Sequence, residues 1–392
     1  MITVNEAKTL ISSHISPLES ILVSLDKASG LTLAKDIYAG CNIPAFRQSS
    51  MDGYAFKFAD PARELIVAGE MAAGTEQSLS LIEGEASRIF TGAPLPDGAD
   101  TVVMQEKVTF RHGRIVLQDE KLHYGANVRD QGAEIKSGDL AMRKGTLLSP
   151  AAIGFLAGIG IPNLEVYPLP KISIIVTGKE LQQPGLELGF GQVYESNSYS
   201  LSAALKIEGH TDLNIIQADD DLSQLTQILE KALTVSDVVL LTGGISVGDY
   251  DFVLQASGNC KVEQVFHKVK QKPGKPLFFG IKGTKLIFGL PGNPSSVLSC
   301  YYNYVLPAIK QLSHQKDSVN YIQAKLSRAY QKPAGLSHFL KGSYENGLVS
   351  PLNAQESFRL SSFAIANCLI CLEETKEEFL IGETVTVMML PQ

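Results

Sequence analysis

Four consecutive apolar residues, Val238 to Leu241, run directly into Thr242-Gly243-Gly244, and Ser246, Gly248, Asp249 and Asp251 follow. A run that short, closed by glycines, is the pattern of a strand buried on both faces. Glycine there permits positive φ and lets a ligand reach backbone N–H groups with no Cβ in the way. In open α/β sheets this position, the carboxyl end of a parallel strand, is where ligands bind. Two more loops repeat the chemistry. Lys272-Pro-Gly-Lys-Pro276 precedes an apolar run at 277–280, and Gly289-Leu-Pro-Gly-Asn-Pro294 follows one at 286–288 and leads into a helix. The expectation is one pocket built from several strand ends.

The surrounding pattern predicts the sheet. Short apolar runs at 172–176, 213–216, 238–241 and 286–288 alternate with helical segments at about 198–208, 221–233 and 295–312. That alternation indicates a mostly parallel sheet with helices on both faces. Asp219-Asp220-Asp221 falls where a strand gives way to a helix, so at least one of the three is expected to cap it. Upstream, Thr3-Val-Asn-Glu6 is a capping box that opens a helix to about residue 15. A strand is expected at 20–25 and an amphipathic segment at 28–38. Closely spaced Gly and Pro between apolar segments at 65–118 predict a small all-β region. Ser149-Pro150 starts a helix that ends near Gly158 to Gly160. Beyond about 319 the segments 322–326, 339–344, 348–351, 368–372 and 385–390 read as a terminal β-barrel or sandwich.

At 392 residues, with 44% hydrophobic and 19% charged residues, two to four globular domains are expected. The net charge of −7 argues against broad nucleic-acid binding, which relies on a basic field. The first fifteen residues lack the apolar core of a signal peptide, and the apolar stretch 151–161 is too short to span a bilayer. A cytoplasmic protein without membrane contact is the expectation. Cys368-Leu-Ile-Cys371 has the spacing of a redox or zinc pair, but it sits in a strand-like run. Residues three apart on a strand face opposite sides, so the two sulfurs are not expected to meet.

Lys268, Lys270, Lys272 and Lys275 crowd one short segment of an acidic chain, which favours an anionic ligand. An edge strand with solvated lysines accounts for Lys268 and Lys270. It accounts less well for Lys272 and Lys275, which prolines pin. No G-x-x-x-x-G-K-[ST] loop is present. Carboxylates Asp249 and Asp251 beside glycines suit Mg²⁺, which commonly pairs one or two carboxylates with substrate phosphates. The long polar loop 42–55 contains the turn signal Asp52-Gly53, and a hairpin connection is its alternative reading. Arg129 and Glu134 lie in a second polar loop, where a surface ion pair is the plain reading. His267 reads as structural. The residues alone lead to a phosphorylated small molecule with Mg²⁺.

Five motifs carry a resemblance: Ser-Met-Asp-Gly-Tyr-Ala at 50–55, Thr-Gly-Ala-Pro-Leu-Pro-Asp-Gly-Ala-Asp at 91–100, Gly-Gly-Ile-Ser-Val-Gly-Asp-Tyr-Asp at 243–251, Lys-Pro-Gly-Lys-Pro at 272–276 and Gly-Leu-Pro-Gly-Asn-Pro at 289–294. In order and spacing the chain resembles the molybdopterin molybdenumtransferase family, of the MoeA and gephyrin E-domain type, along essentially its whole length. The resemblance implies an α/β multidomain fold. Its parts are a linking α+β domain (1–43 with 143–168), a small β-rich domain (44–142), a central mostly parallel α/β domain of molybdopterin adenylyltransferase-like type (169–317), and a C-terminal β-barrel (318–392). It further implies a homodimer whose cleft lies between the central domain and the partner's second domain. The implied reaction takes adenylylated molybdopterin and molybdate to molybdenum cofactor and AMP, with Mg²⁺, and includes transient contact with a molybdopterin adenylyltransferase. Carried over by motif, Gly243, Gly244, Ser246 and Gly248 cradle the pterin phosphates, Asp251 holds Mg²⁺, and Lys272 and Lys275 bind oxyanions beside Pro273 and Pro276. Pro291, Gly292, Asn293 and Pro294 shape the floor. Asp52, Thr91, Arg129, Glu134 and Glu180 complete the cleft, with Ser361 near the molybdate.

The chain also departs from the family pattern. Thr177-Gly-Lys-Glu180 carries Lys179 where an Asp is usual, and Glu134 replaces a shorter acid. The pattern G-R-x-x-F-x-R appears as Gly335-Leu-Ser-His-Phe-Leu-Lys341, so Leu336 stands where an oxyanion-binding Arg is expected. Lys341 and Arg359 are the candidate point-charge substitutes. Retained activity with altered molybdate affinity is the expectation. Two other readings are a receptor-anchoring scaffold and an adenylyl-molybdopterin binder without insertase activity.

Overall fold

The computed structural model describes residues 1–60, 64–243, 252–315 and 319–391. The described residues form two compact units. The first comprises 1–22, 30–32 and 165–392, and the second comprises 23–29 and 33–164.

A six-stranded sheet organises the first unit. In spatial order its strands are Leu213–Ala218, Ile172–Thr177, Val238–Thr242, Lys285–Leu290, Pro276–Lys282 and Glu263–Lys268. The first four are mutually parallel, and the last two join antiparallel. The unbroken apolar run 238–241 has a direct cause in side-chain alternation. Val238 and Leu240 enter the core on one face, while Val239 and Leu241 enter the core on the other. Helices Leu222–Val235 and Phe252–Asn259 cover the second face through Leu225, Leu229 and Val253. Asp221 caps the first of these, accepting from the Gln224 N–H at 2.8 Å.

The first face is covered by helix Asn197–Ile207 and by the helical stretch 294–312. That stretch is regular at both ends but relaxes into a π-helical turn at Tyr301–Val305. Pro307 explains the relaxation: it has no N–H to offer the Asn303 carbonyl, and its ring crowds that carbonyl. Helix Val4–Ser13 packs into the same core, and its Thr3–Glu6 capping box is formed as expected.

Residues 321–389 close into a barrel. Strands Ser337–Glu345, Leu348–Pro351, Tyr321–Leu326, Thr384–Met389 and Cys368–Leu372 pair in a ring, the last returning to the first. The terminal domain is therefore a barrel rather than a sandwich. Cys368 packs in the barrel's interior and Cys371 against the core outside it, so the two sulfurs face apart.

The second unit carries a six-stranded sheet over 53–117, in the order Thr101–Met104, Gly53–Phe56, Glu85–Ile89, Glu64–Met71, Arg114–Leu117 and Val108–Arg111. Helix Pro150–Gly158 begins at the Ser149 cap, and Gly160 follows it at φ +80°. The segment 28–38 contains only the two-residue strands Thr32–Leu33 and Ile37–Tyr38. Among the described residues no helix is long and apolar enough to cross a membrane.

Candidate active site

Strand register places the glycine and proline loops along one edge of the central sheet. Val176 lies beside Thr242, Thr242 beside Leu290, and Gly289 opposite Phe278. Continuing each strand by a residue or two sets Gly178, Gly243, Pro291 and Pro276 in a row. The antiparallel turn of the fifth strand therefore brings its start, the Lys272–Pro276 loop, to the end where the parallel strands finish.

The loops meet backbone to backbone. Gly243 has φ +82°, and a Cβ there would sit 2.3 Å from the Thr177 carbonyl oxygen. A Cβ on Gly292 would lie 3.9 Å from the Gly243 Cα. The Asn197 carboxamide donates to the Gly292 carbonyl at 2.9 Å. The Glu180 carboxylate folds back over Gly178, where a Cβ would come within 2.9 Å of it. Lys179 is exposed, and its N–H is held by the Asp220 carboxylate at 3.2 Å. Residues Gly244, Ser246, Gly248, Asp249 and Asp251, which the sequence assigns to phosphate and Mg²⁺, lie outside the described residues.

The Lys272–Pro276 loop is braced from beneath. The Gln271 carboxamide donates to the Gly274 carbonyl at 2.8 Å, and the Tyr304 hydroxyl donates to the Gln271 side-chain oxygen. Gly274 has φ +83° and no room for a Cβ, because the Cys300 sulfur would be 2.5 Å away. The Lys275 carbonyl accepts from the Val269 N–H at 3.0 Å. Both lysines are exposed on this fixed loop. Lys270, by contrast, pairs with Glu374 at 3.0 Å.

A loop from the barrel reaches the same edge. Asn293 donates to the Ser357 hydroxyl at 2.9 Å, and the Ser295 N–H donates to the Ser357 carbonyl at 3.1 Å. Ser361 follows, exposed, at the start of helix Ser361–Ala364. Lys341 cannot serve as the substitute oxyanion contact. It is 2% exposed, and its ammonium donates to the carbonyls of Ala354 (2.7 Å), Arg359 (3.0 Å) and Glu356 (3.4 Å). Arg359 remains half-exposed and pairs with Glu356 at 3.1 Å.

In the second unit, Asp52 accepts from both the Thr91 N–H (2.8 Å) and the Thr91 hydroxyl (2.9 Å). Those bonds, with the Arg88 guanidinium, hold its carboxyl below the usual range. Asp52-Gly53 is not an open hairpin tip. A Cβ on Gly53 would meet the Val103 carbonyl oxygen at 1.9 Å, so the loop lies flat on the neighbouring strand. The Ser50 N–H donates to the Asn127 carbonyl at 2.9 Å, and Val128–Arg129 pairs with Gln48–Ser49. Asp52, Thr91 and Arg129 are thus assembled around one loop. Glu134 is exposed nearby in sequence, its N–H held by the Ile43 carbonyl at 2.9 Å, and it makes no ion pair with Arg129.

Sequence reasoning missed Arg88. Its guanidinium lies 5.1 Å from the Tyr54 ring centroid and 5.0 Å from that of Phe90, and donates to the Gly53 carbonyl at 3.1 Å. Its signal, an arginine within a strand two residues before an aromatic, is too common to single out.

A sheet edge built from parallel strand ends, glycine backbones and a loop with two exposed lysines defines a multidomain α/β protein. Three family models match: the MoeA N-terminal region (domain I and II) over residues 2–160, a probable molybdopterin binding domain over 173–311, and the MoeA C-terminal region (domain IV) over 323–390. A molybdopterin molybdenumtransferase from Haemophilus influenzae is 32% identical over 398 residues, 99% of this chain and 98% of the relative. One from Staphylococcus aureus is 30% identical over 401 residues, 99% of this chain and 95% of the relative. A solved molybdopterin biosynthesis MoeA protein from Pyrococcus horikoshii aligns with TM-score 0.83 at 30% identity, covering 99% of both chains. The chain belongs to the molybdopterin molybdenumtransferase family.

Proposed function

We propose that this enzyme inserts molybdenum from molybdate into adenylylated molybdopterin, releasing AMP and forming molybdenum cofactor. The observation that carries the reading is the alignment of Gly178, Gly243, Pro291 and Pro276 on one sheet edge, with Lys272 and Lys275 displayed on a braced loop beside it. Molybdate is a dianion and must meet a substrate that already carries a pyrophosphate. A site that brings these together has to offset adjoining negative charges with fixed donors. Gly243 and Gly292 give the phosphates access to backbone, Lys272 and Lys275 take oxyanion oxygens, and Pro273, Pro276, Pro291 and Pro294 hold those loops rigid. Asn293 and Ser361 act through the barrel loop at the same edge, and Glu180 lies over Gly178.

Mg²⁺ is assigned to Asp251 by motif. Among the described residues no group of three or more His, Cys, Asp or Glu side chains comes together, and Asp251 lies outside them. When bound, Mg²⁺ would neutralise substrate phosphate charge.

Asp52, Thr91, Arg129 and Glu134 complete the cleft from the second unit of a partner copy in a cytoplasmic homodimer, and an adenylyltransferase supplies the substrate by transient contact. The four-domain division given above is supported by three separate sheet systems, over 53–117, 172–290 and 321–389. Incubating the protein with adenylylated molybdopterin, Mg²⁺ and molybdate and measuring AMP tests the reading. AMP release dependent on molybdate is the expected result, and binding of the nucleotide substrate with no AMP would refute it in favour of a nonproductive binder.

A further inference from the structure

A cavity of about 550 Å³ opens within the first unit, between helix Val4–Ser13 and the helical stretch 294–312. Ile11, Ile15, Tyr304, Pro307 and Ala308 make its wall largely apolar. Cavities of roughly 300–1,000 Å³ with apolar walls and a few polar groups are the ones that hold small organic ligands. One polar group here is left over. Asn303 stands in the wall and is 1% exposed. Its amide nitrogen donates to the Ser299 carbonyl at 2.9 Å, while its side-chain oxygen has no hydrogen-bond partner among the described residues. A leucine would fill the same space without the cost of an unpaired acceptor, so the amide calls for a donor from outside the chain. Asn303 also sits at the middle of the π-helical turn Tyr301–Val305, and single π-helical turns are frequent at functional sites.

The wall narrows the chemistry of that donor. No carboxylate is among the described residues that line the cavity, so a cation finds no counter-charge there. The Lys8 ammonium donates to the Tyr321 hydroxyl at 2.9 Å and lies 5.2 Å from the centre of that ring. Flat surfaces complete the enclosure. The His314 ring lines the cavity and is stacked on Tyr167, with centroids 3.6 Å apart and planes at 19°. An uncharged ring can extend such a stack.

The residue next to Asn303 connects this wall to the sheet edge described above. Tyr304 lines the cavity, and its hydroxyl donates to the Gln271 side-chain oxygen. The Gln271 carboxamide in turn donates to the Gly274 carbonyl at 2.8 Å, inside the Lys272–Pro276 loop. Tyr304 and Gln271 are each 1% exposed, so water does not compete for either bond.

We infer that this cavity binds an uncharged, flat ring that gives an N–H or O–H donor to the Asn303 side-chain oxygen, and that its occupancy is felt at the Lys272–Pro276 loop through Tyr304 and Gln271. The last torsion of an amide is broad, so the oxygen turns to an incoming donor without leaving its rotamer. A ligand that fixes the Tyr304 side of the cavity steadies the brace beneath the loop, and a steadied loop favours the ligand in return.

Titration of the full chain with indole, and separately with benzofuran, which has the same shape and no N–H, tests the site by ligand-observed NMR. Indole is expected to bind about three- to tenfold tighter than benzofuran, the worth of one hydrogen bond. Asn303→Leu removes only an unpaired acceptor, so it should melt no lower than the parent and lose the preference for indole. Ser12→Trp, at an exposed position of the wall, should block both rings. Equal affinity of the two rings for the parent is what an oxygen satisfied by water would give, and it would overturn the site. Indole binding that survives Ser12→Trp unchanged would overturn it too. Saturating indole should slow hydrogen exchange at 271–275 in the parent and not in Tyr304→Phe, which keeps the ring and loses the hydroxyl. Unchanged exchange in the parent would overturn the link to the loop. Absence of AMP release in the assay above would defeat the insertase reading and leave these measurements unaffected.

Discussion

Replacing Gly243 with alanine tests whether the strand ends, rather than the side chains around them, build the site. The added methyl would lie 2.3 Å from the Thr177 carbonyl oxygen and 2.9 Å from its hydroxyl, in a residue held at φ +82°. The left-handed conformation costs a non-glycine residue about 1–3 kcal/mol. Relieving the overlap costs a further ~1–3 kcal/mol, because the blocking atom is backbone and cannot rotate away. A combined loss of roughly 3 kcal/mol corresponds to a fall in melting temperature of about 6–12 °C in a domain of this size. The alternative to paying that in stability is to part the ends of strands Ile172–Thr177 and Val238–Thr242, which moves Gly243 away from Gly292. Either way, affinity for adenylylated molybdopterin should fall at least about tenfold at a temperature where circular dichroism shows the variant folded. Gly154→Ala, in a helix interior with open space around it, provides the opposite sign and should stabilise by roughly 0.5–1 kcal/mol. A Gly243→Ala protein that melts within 2 °C of the parent (about 1 kcal/mol or less) and binds the nucleotide equally well would refute the backbone-contact argument.

Lys341→Met should destabilise the barrel by roughly 2–4 kcal/mol, since it strips the donor from three carbonyls in one loop, and hydrogen exchange at 354–359 should rise; unchanged exchange there would contradict the clamp. Thr91→Val removes the hydroxyl bond to Asp52, so the Asp52 carboxyl pKa should move up toward its ordinary value in a carbon-detected NMR titration. His210 is buried, and burial with the Lys310 charge lowers its pKa from 6.5 to about 4, so the unfolded chain binds more protons than the folded one between those values. Its contribution to stability is therefore complete above about pH 6.5 and is lost as pH falls toward 4, and His210→Gln should flatten the melting profile in that window. Among the cysteines, Cys41 is exposed, while burial pushes the thiols of Cys300 and Cys368 up to about 12 and Cys371 up to about 11. A thiol reagent on the native chain should modify Cys41 rapidly and those three only on unfolding.

Much of this fold was legible because its signals are local. Run length with glycine closure identified the parallel strands, the capping box placed the first helix, and Ser149-Pro150 placed another. The family followed from motifs whose order spans the chain. What could not be read depended on packing across distance. Nothing near Gly53 says that the Val103 carbonyl occupies the space of its missing side chain, so a turn signal hid a strand contact. The π-helical turn at Tyr301–Val305 required knowing that 294–312 is one continuous helical stretch, after which Pro307 explains it. Segment 28–38 has amphipathic spacing but spends it on two short strands.

Lys341 shows why a substitution pattern and a structure answer different questions. In sequence, a lysine at the position of a family arginine invites a functional reading as a weaker oxyanion contact. In the fold, the strand Ser337–Glu345 is buried on both faces over 338–342, and a buried ammonium must find carbonyls or lose its charge. It finds three, and burial still lowers its pKa. The positive charge that remains open beside the same strand is Lys272. The loss of an arginine at 336 is therefore not made good by Lys341. Restoring that arginine as Leu336→Arg should strengthen molybdate binding in the parent chain more than in Lys272→Met if the two side chains serve the same anion. Equal gains in both backgrounds would show that they serve different ones.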